Sequence, residues 1–125
     1  MSRIRGRDTK PEVLLRSLLH RAGLRFRKNV KSLPGKPDIV LSRYRAIVRV
    51  QGCYWHRHEG CRFATTPATR KSFWLEKFRD TVRRDSNTQH ALEKLGWRVF
   101  TVWECEMRQN PNKAAERLIV NITAE

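Results

Sequence analysis

Leu14, Leu15, Leu18, Leu19 and Ala22 fall on one stripe at helical spacing, and the residues before them read as a helix start. Thr9 is placed to cap, Pro11 is tolerated in the first turn because its missing N–H has no partner there, and Glu12 follows as a capping-box acceptor. Gly23 permits a left-handed exit, so a core-facing helix is expected to end near Arg21 or Ala22. The period then changes. Leu24 to Val30 alternates in part and is expected as an edge strand, and two prolines around a glycine make Ser32 to Pro37 a loop. Asp38-Ile-Val-Leu41 and Ala46-Ile-Val-Arg-Val50 are β-branched runs joined by Ser42-Arg-Tyr-Arg45, the pattern of a hairpin with Asp38 at the mouth of a central strand.

From Gln51 to about Lys71 no period persists, and so long an irregular stretch inside a compact domain calls for either function or a staple. Ser72 is placed to cap a helix running through Phe73, Trp74, Leu75, Phe78 and Val82, with a further stretch through Ala91, Leu92 and Leu95 that Gly96 ends. Trp97 to Trp103 alternates as a strand, with Val99, Thr101 and Trp103 on one side and Phe100 and Val102 on the other. Asn112 or a neighbour begins a terminal helix carrying Ala115, Leu118, Ile119 and Ile122. Helix, strands, irregular insert, helix, strand and helix in that order predict a small α/β sandwich around a mixed central sheet flanked by helices.

A chain of 125 residues is long enough for one core and too short for two, so residues 1–125 are expected to form a single domain. Its 27 Lys and Arg against 12 Asp and Glu leave a formal charge of +15, and the basic residues recur from Arg3 to Arg117. So even an excess favours a nucleic-acid partner, because phosphate contacts over a whole face supply the electrostatic part of binding. An inert basic surface or an RNA-coating structural protein has the same charge. No apolar run approaches membrane-spanning length, and Met1-Ser-Arg-Ile-Arg lacks the apolar segment of a secretory signal, so an intracellular protein with no membrane association is expected. Three cysteines cannot all pair within one chain, and in a reducing compartment thiols serve as ligands or buried groups.

Candidate chemistry gathers in Cys53-Tyr-Trp-His56-Arg-His58-Glu-Gly-Cys61, which holds two thiols, two imidazoles and two adjacent aromatics. Cys53, His58 and Cys61, joined by Cys105 from the end of the last strand, make a tetrahedral Cys3His site for structural Zn²⁺, and such a staple would order the insert. His56 in place of His58 is the alternative ligand set, and three buried cysteines with a surface histidine the bland one. Four protein ligands leave no position for a nucleophilic water, so chemistry must lie elsewhere. Hard carboxylate oxygens suit Mg²⁺ beside a phosphate. Asp38 is the leading Mg²⁺ ligand against a turn-capping role, while for Glu12 helix capping is an equal reading. His56, as a neutral imidazole, has the chemistry to deprotonate a water attacking phosphorus. Tyr54, Trp55 and Trp74 are either core aromatics or rings that wedge between bases.

Pro-Gly-Lys-Pro-Asp38, Gly52-Cys-Tyr-Trp-His-Arg-His-Glu-Gly-Cys61, Pro67-Ala-Thr-Arg70, Phe73-Trp-Leu-Glu-Lys77 and Gly96-Trp-Arg-Val through Trp103-Glu-Cys105 together closely resemble the very short patch repair (Vsr) endonucleases of bacteria. The resemblance covers nearly the whole chain. It implies a restriction-endonuclease-like core with a zinc-stapled insert, and Mg²⁺-dependent, strand-specific hydrolysis on the 5′ side of the mismatched thymine in a T·G pair left by 5-methylcytosine deamination. It implies Asp38 as the Mg²⁺ ligand, His56 assisting the attacking or leaving oxygen, Glu12 supporting the site, and Cys53, His58, Cys61 and Cys105 as zinc ligands. Tyr54, Trp55 and Trp74 match rings that enter the duplex, and Arg5, Arg7, Lys36 and Arg70 are the expected DNA-backbone contacts. It further implies work with MutL and DNA polymerase I; a monomer suits an asymmetric mismatch, and the bacterial cytoplasm, in association with the nucleoid, is the expected location.

This chain departs from that pattern at three places. Gln51 stands where histidine is usual, replacing a titratable group with an amide that cannot act as a base. Arg49 occupies a normally apolar strand position, and if it faces the core its charge needs a partner. Most of the usual N-terminal arm that clasps DNA from the minor-groove side is missing, with weaker binding expected. An endonuclease of altered or relaxed specificity and a non-catalytic zinc-containing DNA-binding protein are the competing functions.

Overall fold

A computed structural model describes residues 10–28, 30–54, 56–62 and 64–124. The leucine stripe forms helix α1, Lys10–Arg21, with Leu15 and Leu19 fully buried. Thr9, its expected cap, lies outside the described residues. The hairpin is as read: β1 (Ile39–Leu41) pairs antiparallel with β2 (Ala46–Gln51), Ile39 opposite Val48 and Leu41 opposite Ala46. A single 3-10 turn at Ser42–Tyr44 joins them and ends on Arg45 in the left-handed region. β3 (Arg98–Trp103) lies on the far side of β2 and parallel to it, which gives the order β1-β2-β3.

Parallel neighbours need a crossover, and here it is helix α2, Lys71–Lys94. The two helical stretches expected between Phe73 and Leu95 form one continuous helix, because neither glycine nor proline occurs between Val82 and Ala91 to break it. Ser72 is not its cap. The chain enters from Arg70 in the left-handed region (φ 54°), no side chain caps the helix, and Ser72 sits inside the first turn. Two further corrections concern the periphery. The edge strand expected over Leu24–Val30 is a single bridge between Arg27 and Val40, since the apolar alternation at Leu24 and Phe26 gives way to Arg27 and Lys28. A short helix α3, Glu104–Gln109, follows β3 directly, and the terminal helix α4, Pro111–Thr123, starts one residue before Asn112 with Asn110 Oδ1 accepting from the Lys113 N–H at 3.1 Å.

Strand alternation divides the core between the two faces of the sheet. Ile39, Leu41, Ala46, Val48 and Val102 pack with Leu15 and Leu19 of α1, Met107 of α3 and Leu118 and Ile122 of α4. Val40 and Ile47 face the other way and meet Leu92 of α2, with Val99 packed alongside. The same alternation puts Asp38, Arg49 and Gln51 on the α2 face.

The loop leading to Asp38 is held against α2 at Gly35. Its φ of +75° favours glycine, and a Cβ there would lie 2.4 Å from Thr88 Cγ2. Gly35→Ala is therefore expected to destabilise the fold by about 1–3 kcal/mol in denaturant titration, through left-handed strain and a steric conflict that pushes the loop off the helix. An unchanged midpoint would show that the loop does not rest on Thr88.

Candidate active site and metal centre

The parallel register assembles the sulfur-rich cluster. Gln51 pairs with Trp103 at the ends of β2 and β3. Two residues beyond each stand Cys53 and Cys105, so the strand pair delivers both thiols to the same edge before the loop adds His58 and Cys61. The four ligand atoms lie within 4.8 Å of one another, and Cys105 Sγ is 3.4 Å from His58 Nδ1. Tetrahedral Zn²⁺ with ordinary bond lengths separates its ligand atoms by about 3.5–3.8 Å, so the cluster has the right size and donor set. Burial pushes the Cys53 thiol up to about 12, with the neighbouring sulfurs contributing, and raises Cys105 as well. Cys53 and Cys105 resist ionisation beside the third sulfur, and a bound cation would stabilise their thiolates. The His58 ring stacks on Trp103, with centroids 4.2 Å apart and planes 10° from parallel, which fixes the imidazole against the end of β3.

His56 faces elsewhere. Its Nδ1 lies 2.5 Å from Asp85 Oδ2 on α2, so the structure brings His58 rather than His56 to the cysteines. A carboxylate only accepts hydrogen bonds, so Nδ1 carries the proton and Nε2 is left as the basic nitrogen.

Beside this histidine a cavity of about 150 Å³ is lined by Glu12, Lys36, Asp38, Arg49, Gln51 and His56, among others. Three layers of the fold meet here. Glu12 comes from the first turn of α1 and is buried. Lys36, in a left-handed conformation (φ 48°), and Asp38 come from the loop entering β1, and Gln51 is the buried last residue of β2. Continuing the hairpin ladder one residue past Ile39–Val48 brings Asp38 to the level of Arg49. The lining joins hard oxygen donors, cations, an amide and an imidazole, a set suited to phosphate chemistry with a divalent cation.

On the flank of the insert, aromatic rings cluster at the first turns of α2. Tyr54 meets buried Phe78 edge-on at 5.2 Å, and Trp74 stacks obliquely on Phe78 at 6.2 Å and meets Phe73 edge-on at 5.3 Å. Arg57 covers Phe78 at 3.9 Å and donates to the carbonyls of Tyr54, Ala64 and Thr65, and Arg70 lies 4.3 Å over exposed Phe73. The result is a surface of rings and guanidinium groups adjoining the cavity loop.

A family model described as DNA mismatch endonuclease Vsr matches residues 1–62. Over 118 residues the chain is 46% identical to the DNA mismatch endonuclease Vsr of Escherichia coli strain K12, which spans 94% of this chain and 75% of that protein. The chain belongs to the Vsr family of DNA mismatch endonucleases. It is also 45% identical over 121 residues to the type II nicking enzyme V.NmeAIP of Neisseria meningitidis, covering 97% of this chain and 84% of the relative. A third relative, the type II nicking enzyme V.XorIIP of Xanthomonas oryzae pv. oryzae, is 45% identical over 107 residues, 86% of this chain and 78% of its own. As a Vsr endonuclease the protein hydrolyses phosphodiester bonds of DNA.

Of the residues picked out in the sequence, the structure brings Glu12, Lys36, Asp38, Gln51 and His56 to one cavity and Cys53, His58, Cys61 and Cys105 to one cluster. Tyr54, Trp74 and Arg70 share the aromatic surface; Arg5, Arg7 and Trp55 lie outside the described residues. Asp85 was missed. It accepts from Arg49 at 3.0 Å with one oxygen while the other meets His56. The signal for it was Arg49, a charge on an apolar strand that required a counter-charge from the helix crossing that face.

Proposed function

We propose that this Vsr endonuclease nicks one strand of duplex DNA on the 5′ side of the mismatched thymine in a T·G pair, with Mg²⁺ at Asp38 and Zn²⁺ at the Cys3His cluster. The observation that supports this reading most is the single cavity shared by Asp38, Glu12, Gln51 and His56, next to a surface of aromatic and cationic side chains.

Asp38 would hold the magnesium ion, with Glu12 supporting it across the cavity. When bound, the ion supplies positive charge that offsets the charge growing on the phosphoryl oxygens. His56, with Nδ1 donating to Asp85, uses Nε2 to take the proton of the attacking water or return one to the leaving oxygen. Water enters in line, and the products carry a 5′-phosphate and a 3′-hydroxyl. Gln51 donates a hydrogen bond to a phosphate oxygen but does not serve as a base. Lys36 and Arg70, with Arg5 and Arg7, position the backbone. Tyr54 and Trp74, joined by Trp55, enter beside a T·G pair, which stacks poorly and so costs less to part than a matched pair. Zinc is structural, because four protein ligands close its shell.

The core is read as restriction-endonuclease-like and the chain as one domain over 1–125, acting as a monomer in the bacterial cytoplasm at the nucleoid and coupled to MutL. No helix among the described residues is long and apolar enough to cross a membrane. Two of the relatives are named type II nicking enzymes, and Gln51 where histidine is usual favours a second reading, a related DNA endonuclease of altered or relaxed specificity.

Strand-labelled duplexes test the proposal. With Mg²⁺, the thymine strand of a T·G duplex is expected to be nicked at least about tenfold to a hundredfold faster than the same strand fully paired. Equal cutting of both duplexes would refute mismatch recognition, and a panel of flanking sequences reads out the context.

A further inference from the structure

β2 is apolar from Ala46 to Val50 except at Arg49. Alternation turns this side chain to the α2 face, where it is 16% exposed. Nη1 donates to the main-chain oxygen of Asp85 at 3.2 Å and Nη2 to its Oδ1 at 3.0 Å. The second carboxylate oxygen, Oδ2, is the one that meets His56 Nδ1. One carboxylate thus links the central strand, the crossover helix and the zinc loop.

Resting on the reading of His56 as the proton-transfer group, the geometry points to Arg49 as a positioning residue that acts on His56 through Asp85. An aspartate on a helix has freedom about two side-chain bonds, and Asp85 is only partly buried. Held by the planar fork of the guanidinium at both its main-chain and side-chain oxygens, it keeps Oδ2 turned to the imidazole. That fixes the ring's orientation and leaves Nε2 as the nitrogen for proton transfer, much as an outer partner orients a catalytic or metal-bound histidine. Each terminal nitrogen of Arg49 directs an N–H at Asp85, so the guanidinium is oriented toward the carboxylate that meets the histidine. The arrangement also accounts for the charge on this strand: the guanidinium is partnered where a lone buried cation would be costly.

The test is single-turnover nicking of the T·G duplex by zinc-loaded Arg49→Met, Arg49→Lys, Asp85→Ala and the Met/Ala double variant, with zinc content, melting temperature and imidazole nitrogen NMR of His56 measured in parallel. Arg49→Met is expected to lower kcat about tenfold to a hundredfold at unchanged KM, to keep its zinc, and to lose the single His56 tautomer. Arg49→Lys recovers part of the rate. In the Asp85→Ala background Arg49→Met adds little. An equal further loss in that background, a rise in KM with kcat unchanged, or an unaltered rate in folded Arg49→Met would overturn the inference. His56→Ala separates the two levels: if it nicks like the parent protein, the reading of His56 fails and this inference with it. If it is inactive while Arg49→Met is unaffected, only the inference fails.

Discussion

Asp38→Asn is expected to slow nicking of a T·G duplex by at least about a thousandfold while duplex affinity changes little, because the neutral amide is a poor Mg²⁺ ligand, so the positive charge that would offset the negative charge growing on the phosphoryl oxygens is lost while the binding surface stays intact. The amide keeps the shape of the side chain, and the loop that carries it stays pinned by Gly35 against Thr88. What is lost is one hard anionic oxygen in a cavity whose other carboxylate, Glu12, comes from a different layer and cannot move to replace it. Zinc content is expected to be unchanged. Stability should hold or rise, since active-site groups are commonly held at a cost to the fold and two carboxylates lining one small cavity repel. The measurement is single-turnover cleavage over a range of Mg²⁺ concentrations, with binding followed separately by fluorescence anisotropy. Retained cleavage in Asp38→Asn would remove Asp38 from the chemistry and send the search to another cavity wall.

How much of this was legible in the sequence depends on how local each signal is. The leucine stripe, the hairpin at Ser42–Arg45 and the alternating run through Trp103 carry their periods within a few residues, and these elements stand where expected. Ser72 illustrates the limit. Its residue type suits a cap, but the backbone turns at Arg70 and the helix is stabilised by Phe78 and Leu92 packing rather than by its first turn. Helix α3 was invisible because it follows β3 with no intervening turn residues, so the strand's aromatic end hid the change of period. The cysteines were readable from chemistry alone, yet what brings Cys53 and Cys105 together is the parallel register of Gln51 with Trp103, a long-range pairing that no local pattern encodes. The two imidazoles were not separable by spacing. Their roles divide in three dimensions, where Asp85 takes one and Cys105 the other. Asp85 sits on an exposed-looking stretch of α2 among arginines, so only the unexplained charge of Arg49 on β2 pointed to it.

Removing zinc, by chelation or by Cys105→Ala, is expected to abolish nicking and to unfold the insert while the helix–sheet core persists. Among its described residues the insert between β2 and α2 has no regular secondary structure after Gln51, and a structural zinc site contributes an apparent ~10–16 kcal/mol of the kind that decides whether such a segment is ordered. His56 lies between the ligands Cys53 and His58 in sequence, so the loop that loses its metal also releases the imidazole from Asp85. Trp103 reports the event directly, because its indole stacks on His58 and its fluorescence changes when that ring leaves. Metal analysis and tryptophan fluorescence check each part. If Cys105→Ala kept its zinc and its ordered insert, the cluster would be three buried cysteines beside a histidine, and the order of the loop would need another source.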